Sequence, residues 1–214
     1  LQENTRFKSE YIAEKVGLSA TACQRRIKRL GLIQVVGQIL FQLTTPLLRR
    51  ESASTRRDII AANNWNMTRP ENVKTHQVPS ANHPHVRQLL QDLAPSVIVI
   101  NGTRILGRKL LESTDVPFLN MHAGITPMYR GVHGGYWALA QRKPSQAGVT
   151  IHLVDTGIDT GDVLYQATID VRDDDNFATY PLLQLEAGLP LLTQAVDDAL
   201  TGNLRPCRAD GQSE

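Results

Sequence analysis

From residue 70 onward, short apolar runs alternate with stretches of helical periodicity, and this rhythm restricts the fold more than any other feature of the chain. Val97-Ile98-Val99-Ile100, Val116-Pro117-Phe118-Leu119 and Val149 to Val154 are short and mostly β-branched or aromatic, so they read as buried strands. Between them, His83 to Leu93 is a helix entered through Pro84 in its first turn, and Gly107 to Ser113 is a brief one. Val73 to Val78 is expected to be one more strand, ahead of Pro79. Alternation of this kind means an α/β architecture with a mostly parallel sheet, and ligands bound outside the carboxyl ends of its strands. Val163 to Val171 adds a strand running antiparallel across the turn at Asp159. Phe177 to Leu200 is a long apolar helix that Gly188 and Pro190 are expected to break or kink.

The strand tips carry the chemistry. Asn120 and His122 alternate at the end of one apolar run, so on an extended backbone both point to the same side. Asp159 follows the next run inside a Gly-flanked turn, Gly157-Ile158-Asp159-Thr160-Gly161. Taken singly, each has a plain structural use: Asn120 caps a loop, His122 is a satisfied buried imidazole, and Asp159 is a turn residue. Together they suit acyl transfer to an amine. The amine must lose a proton to a base of near-neutral pKa, the role histidine fills most often. An amide N–H or imidazolium stabilises the developing oxyanion, and a carboxylate beside the ring favours its protonated form.

A longer collinear pattern surrounds these three: Pro127, Arg130-Gly131, Gly135-Tyr136-Trp137-Ala138, Gly148-Val149-Thr150-Ile151-His152 and Asp159-Thr160-Gly161. With Asn120-x-His122 it resembles the formyltransferases that use 10-formyltetrahydrofolate, including the methionyl-tRNA, glycinamide ribonucleotide and sugar-amine enzymes, over roughly residues 70–200. The resemblance implies a Rossmann-like sheet and transfer of a formyl group from 10-formyltetrahydrofolate to a primary amine. Asn120 and His122 would polarise the formyl oxygen and manage the proton, with Asp159 tuning His122. It also implies that two loops hold the folate pterin by backbone contacts: Gly102, Thr103, Arg104, Ile105 and Leu106 in one, Asp155, Gly157 and Ile158 in the other. Arg130 and Gly131 would then either contact an anionic acceptor or simply cover the site. His133 reads as a structural residue opening the helix of Tyr136 and Trp137, and His152 as a strand residue with no partner motif. Where many relatives have Pro-Ser-Leu-Leu-Pro after the histidine, this chain has Ala123-Gly124-Ile125-Thr126-Pro127, a variant loop that implies a different acceptor. Hydrolysis of the same donor to formate would use the same residues.

The first 30 residues have another character. Tyr11, Ile12 and Val16 make one helical face, Gly17 ends it, and Ser19 caps a second, basic helix from Ala20 to Leu30. The run FKSEYIAEKVGLSATACQRRIKRL resembles the helix-turn-helix of Lrp/AsnC transcription regulators, whose second helix enters the DNA major groove. That resemblance places Ser19, Thr21, Gln24, Arg25 and Arg26 against DNA. It leaves open a regulator whose back half senses folate.

The expected organisation is therefore a partial helix-turn-helix-like segment (1–30), a helical connector (31–69), the α/β domain (70–202) and a polar, frayed tail (203–214). In the connector, apolar residues from Leu32 to Leu43 recur at helical steps, with Pro46 just beyond the helix end, and Arg49, Arg50, Arg56 and Arg57 lie in an exposed helix or loop. Members of the formyltransferase family open with a central strand and a Gly-containing turn. Neither precedes residue 70, so the first strands are expected to be lacking, as at a fusion or gene-model junction that leaves an inactive fragment as one further reading.

Composition adds limits. The chain of 214 residues lacks an initiator Met, which points to a start upstream of Leu1, and its opening does not resemble a signal peptide. Its net charge of +2 selects no class of partner; the charge signals for nucleic acid are the basic N-terminal segment and, as a lesser reading, Arg49, Arg50, Arg56 and Arg57. No apolar run approaches the ~20 residues of a membrane span. Cys23 and Cys207 lie apart with no ligand motif, as free thiols of a reducing cytoplasm, and no metal is expected.

Overall fold

The structure is a computed structural model that describes residues 32–208. The chain divides into two compact units, residues 1–55 and 56–214. In the first, α1 (Leu32–Glu51) runs straight through Pro46 instead of ending before it. A proline removes one N–H from the helix ladder. The preceding turn is reinforced, since the Thr44 hydroxyl donates to the Leu40 carbonyl at 3.0 Å and the Thr45 hydroxyl to the Phe41 carbonyl at 2.6 Å. The apolar residues Val36, Leu40, Leu43 and Leu47 are all exposed. The division falls inside α2 (Ala53–Ala62), after which Asn63 and Asn64 end the helix.

The second unit holds α3 (Pro84–Leu93), β1 (Ile98–Ile100), α4 (Arg108–Leu111), β2 (Phe118–His122), α5 (Gly134–Ala140), β3 (Gly148–Leu153), β4 (Val163–Thr168) and α6 (Tyr180–Thr201). The expected strand at Val73–Val78 does not form: the segment is irregular and Val73 is exposed, because only its two end residues are apolar and no neighbour among the described residues pairs with it. Among the described residues no helix is long and apolar enough to cross a membrane.

The four strands stand in the order β1-β2-β3-β4. β1 and β2 are parallel, as the βα rhythm requires, whereas β2–β3 and β3–β4 are antiparallel. The connection from β2 to β3 explains the reversal. Its helix α5 has seven residues, a rise of roughly 10 Å, and does not run back along the strands as the crossover helix of a parallel unit does. β3 therefore starts where β2 stops, with His122 opposite Thr150 and Leu119 opposite Leu153. β1, read as buried, is the edge of the described sheet, and Val99 is 43% exposed.

Each face of the sheet carries a helix layer. Leu119, Val149 and Ile151 pack with Ala195, Leu191 and Leu192 of α6; full burial of such aliphatic side chains contributes about 1.5–3 kcal/mol each. α6 continues unbroken through Gly188 and Pro190. Gly188 is there for proximity, since a methyl on it would lie 2.7 Å from Met121 Sδ and 2.9 Å from Val149 Cγ2. On the other face Phe118 joins Leu106 and Leu110, with Val86 and Leu90 of α3 against them. The described part of the tail, residues 203–208, is better fixed than its composition implies. Cys207 N–H and C=O exchange 2.8 Å hydrogen bonds with Val163, so chain order extends beyond the end of α6.

Candidate active site

β2 leads into the site. Its alternation sends Leu119 and Met121 toward α6 and leaves Asn120 and His122 on the opposite face. The β2–β3 register places His152 directly across from Asn120 and Thr150 across from His122, so an amide, two imidazoles and a hydroxyl share one patch. Asp159, on the loop after β3, closes over it.

The carboxylate of Asp159 joins the groups. Its Oδ1 accepts from Asn120 Nδ2 at 3.3 Å, and its Oδ2 accepts from the Gly131 N–H at 2.8 Å. Oδ2 also faces His122 Nδ1 at 3.3 Å, and Oδ1 lies 3.4 Å from His152 Nε2. Asp159 has φ 50°, a left-handed conformation that aspartate tolerates better than most residues. Arg130 Nε donates to the Asp159 carbonyl at 3.1 Å and helps to hold the turn there. Arg130 and Gly131, expected to meet an acceptor or cover the site, thus both brace Asp159.

The ring partners fix the tautomers. The Leu153 carbonyl, 2.7 Å from His152 Nδ1, can only accept, so Nδ1 carries the proton and Nε2 accepts from Asn120 Nδ2 at 3.0 Å. By the same argument His122 Nε2 donates to the Tyr129 carbonyl at 2.6 Å. That leaves His122 Nδ1 as the open proton-accepting position, facing a carboxylate. Burial lowers the His122 pKa, outweighing the upward pull of the Tyr129 carbonyl and of Asp159, so the ring is poised as a neutral base. Burial alone would raise Asp159; the His152 and His122 rings in their protonated forms and the Gly131 N–H outweigh it, and the carboxylate titrates below its ordinary range.

The variant loop after His122 is built around that Tyr129 carbonyl. A methyl at Gly124 would fall 2.5 Å from the carbonyl oxygen and 2.8 Å from His122 Nε2, so only glycine lets loop and ring coexist. Thr150, fully buried, ties the loop down: its hydroxyl donates to the Gly124 carbonyl at 2.7 Å and accepts from Thr126 N–H at 3.1 Å. Thr150→Val keeps the shape and orphans both groups. It is expected to cost about 2–4 kcal/mol, read as a lowered midpoint in chemical denaturation.

A cleft of about 440 Å³ opens over this patch, within the usual range for small-molecule sites. Asn120, His122, His152 and Asp159 line it together with the two expected loops, Gly102, Thr103, Arg104, Ile105 and Leu106 on one side and Asp155, Gly157 and Ile158 on the other. Arg130 is not in the lining; Gly131, Val132 and His133 are. The Asp155 carboxylate is used within its own loop, accepting from the Thr160 hydroxyl at 2.7 Å and the Gly157 N–H at 3.0 Å. His133 opens α5 as expected, in a left-handed conformation. The residue that sequence reasoning missed is His152. Its signal was present in the alternation of β3, where Thr150 and His152 occupy the face opposite Val149 and Ile151, but only the register shows which neighbour it meets.

Comparison with known proteins identifies the family. The family model described as formyl transferase matches residues 49–195. The chain belongs to the formyl transferase family. The methionyl-tRNA formyltransferase of Trichlorobacter lovleyi is 31% identical over 143 residues, covering 66% of this chain and 45% of that protein. That of Anaeromyxobacter sp. is 35% identical over 122 residues, covering 56% and 39%. The chain thus spans less than half the length of these curated relatives. Among solved structures, the phosphoribosylglycinamide formyltransferase of Streptococcus pneumoniae superposes with TM-score 0.50 at 29% identity, over 54% of this chain and 64% of that one. The formyltransferase PseJ of Anoxybacillus kamchatkensis, in complex with a UDP-linked formamido sugar and tetrahydrofolate, gives 0.52 at 20% identity over 75% and 80%. At that identity it shows the fold alone. Residues 1–31 match the AsnC-type helix-turn-helix domain. Ser19, Thr21, Gln24, Arg25 and Arg26, with Cys23, lie outside the described residues.

Proposed function

We propose that this formyl transferase domain moves a formyl group from 10-formyltetrahydrofolate to a primary amine, with Asn120, His122 and Asp159 as its catalytic groups. The observation that carries the reading is the convergence of an amide, a base-ready imidazole and a carboxylate on the floor of one cleft. The cleft suits a folate head group. Ile105 and Ile158 offer exposed apolar side chains, and the irregular 102–106 loop offers backbone polar groups outside any ladder.

The donor supplies an activated formyl carbon. Asn120 Nδ2 is aimed where charge develops on the formyl oxygen. Its 3.3 Å bond to Asp159 is the longer of its two, and is the one an incoming oxygen replaces. His122 Nδ1 takes the proton that the amine releases, and Asp159 Oδ2, already 3.3 Å away, receives the resulting N–H. Asp159 enters ionised, so the proton stays on the ring and can pass on to the leaving amine.

Incubating the chain with 10-formyltetrahydrofolate and a panel of primary amines is expected to yield tetrahydrofolate and one N-formyl amine in equal amounts, followed by mass spectrometry. Formate without formyl amine makes the domain a hydrolase of the same donor. Release of neither product refutes the proposal.

A further inference from the structure

One wall of the cleft, residues 102–106, has no regular structure and is mostly exposed, yet it must keep a definite shape for a ligand to recognise its backbone. What fixes it is a residue outside the site. Asn82, in the turn before α3, reaches across more than twenty residues of sequence with both ends of its amide. Nδ2 donates to the Ile105 carbonyl at 2.8 Å, and Oδ1 accepts from the Gly107 N–H at 2.7 Å. These two groups flank Leu106, so the side chain pairs with residues 105–107 as a neighbouring strand's peptide would. Among the described residues no other hydrogen bond ties residues 102–106 to the rest of the unit. Leu106 is pulled inward, 6% exposed, into the cluster with Leu110 and Phe118 that Ala81 also borders. Ile105 is turned out, 63% exposed, on the cleft side. The in–out alternation of two adjacent apolar residues is what the bracket enforces.

We infer that Asn82 is the positioning residue for the ligand-binding wall at 102–107, acting through the Ile105 carbonyl and the Gly107 N–H to set the affinity for the formyl donor. The inference rests on the folate reading of the cleft. Asn82 is exposed, so its hydrogen bonds compete with water and add little to global stability. Their effect is to select one loop shape among several, and that selection appears in binding.

The test uses the full chain and two variants, Asn82→Ala and Asn82→Asp, titrated with 5-formyltetrahydrofolate by intrinsic fluorescence. Asn82→Asp is the informative variant, because it keeps the size and the acceptor for Gly107 but sets a second acceptor against the Ile105 carbonyl. Both variants are expected to bind about tenfold more weakly, with thermal midpoints close to the parent's. In formyl transfer the loss should fall on KM for the donor, with kcat within about twofold. Hydrogen exchange at the Gly107 amide should accelerate in Asn82→Ala. A parent chain that binds while both variants, or Asn82→Asp alone, bind equally well overturns this inference and leaves the folate reading standing. A parent chain that binds no folate overturns both.

Discussion

Asp159→Asn is expected to lower formyl transfer by about 10²–10⁴-fold while leaving the domain folded. The substitution is nearly isosteric, and asparagine tolerates the left-handed backbone at this position, so the turn can persist. What it cannot do is satisfy its neighbours. One oxygen of Asp159 accepts from Asn120 Nδ2 and the other from the Gly131 N–H. Whichever position the new NH₂ takes, it meets a donor already present. His122 also loses the charge that favours its protonated form. Since Asp159 raises the pKa of that ring, its removal lowers a value that burial has already depressed. The acid limb of kcat/KM, which reports protonation of the base, is therefore expected to move to lower pH in the variant. The stability consequence has a defined sign too. A carboxylate held below its ordinary range adds stability above its unfolded pKa and loses it as pH falls through the folded one. The parent's advantage over Asp159→Asn in denaturation should shrink in that acidic window. Equal single-turnover rates for parent and variant would remove Asp159 from the mechanism.

What the sequence made legible follows from the range of each interaction. The amide, the imidazole and the carboxylate could be read because each sits at the tip of a local element whose period or turn chemistry is visible in a few residues. The helix at Pro84 and the hairpin across Asp159 are likewise local. Pairing was not readable. The antiparallel return of β3 depends on whether α5 runs back along the strands, and the burial of β1 depends on which strands flank it. His152 gained its role from facing Asn120 across a register that no single strand encodes. Arg130 and Gly131 are expected from the sequence to meet an acceptor or cover the site, whereas their contacts with Asp159 span 29 and 28 residues, beyond any sequence period. The failed strand at Val73–Val78 is the converse case. Two apolar ends suggested local extension, but a strand forms only with a ladder partner beside it. Pro46 and Pro190 mark another limit, since each removes a single helical hydrogen bond that the rest of a 20- or 22-residue helix can absorb.

Asn120→Ala is expected to reduce turnover by about 100- to 1000-fold, the usual cost of one oxyanion donor, with less change in donor affinity. The division between kcat and KM is the informative part. If the amide acts mainly where charge develops, its loss appears in kcat, because the ground-state formyl oxygen gains little from it. The amide also separates His152 Nε2 from Asp159 Oδ1, standing 3.0 and 3.3 Å from the two. Without it, two proton acceptors 3.4 Å apart face each other unbridged, so Asn120→Ala also removes the group that holds this part of the network together. His152→Ala separates the two effects: it leaves the Asn120 amide and the His122–Asp159 pair in place and removes only the partner. Its turnover should therefore fall by less than that of Asn120→Ala. If the two variants lose turnover equally, the amide works by holding the network together, and its direct contact with the formyl oxygen is excluded.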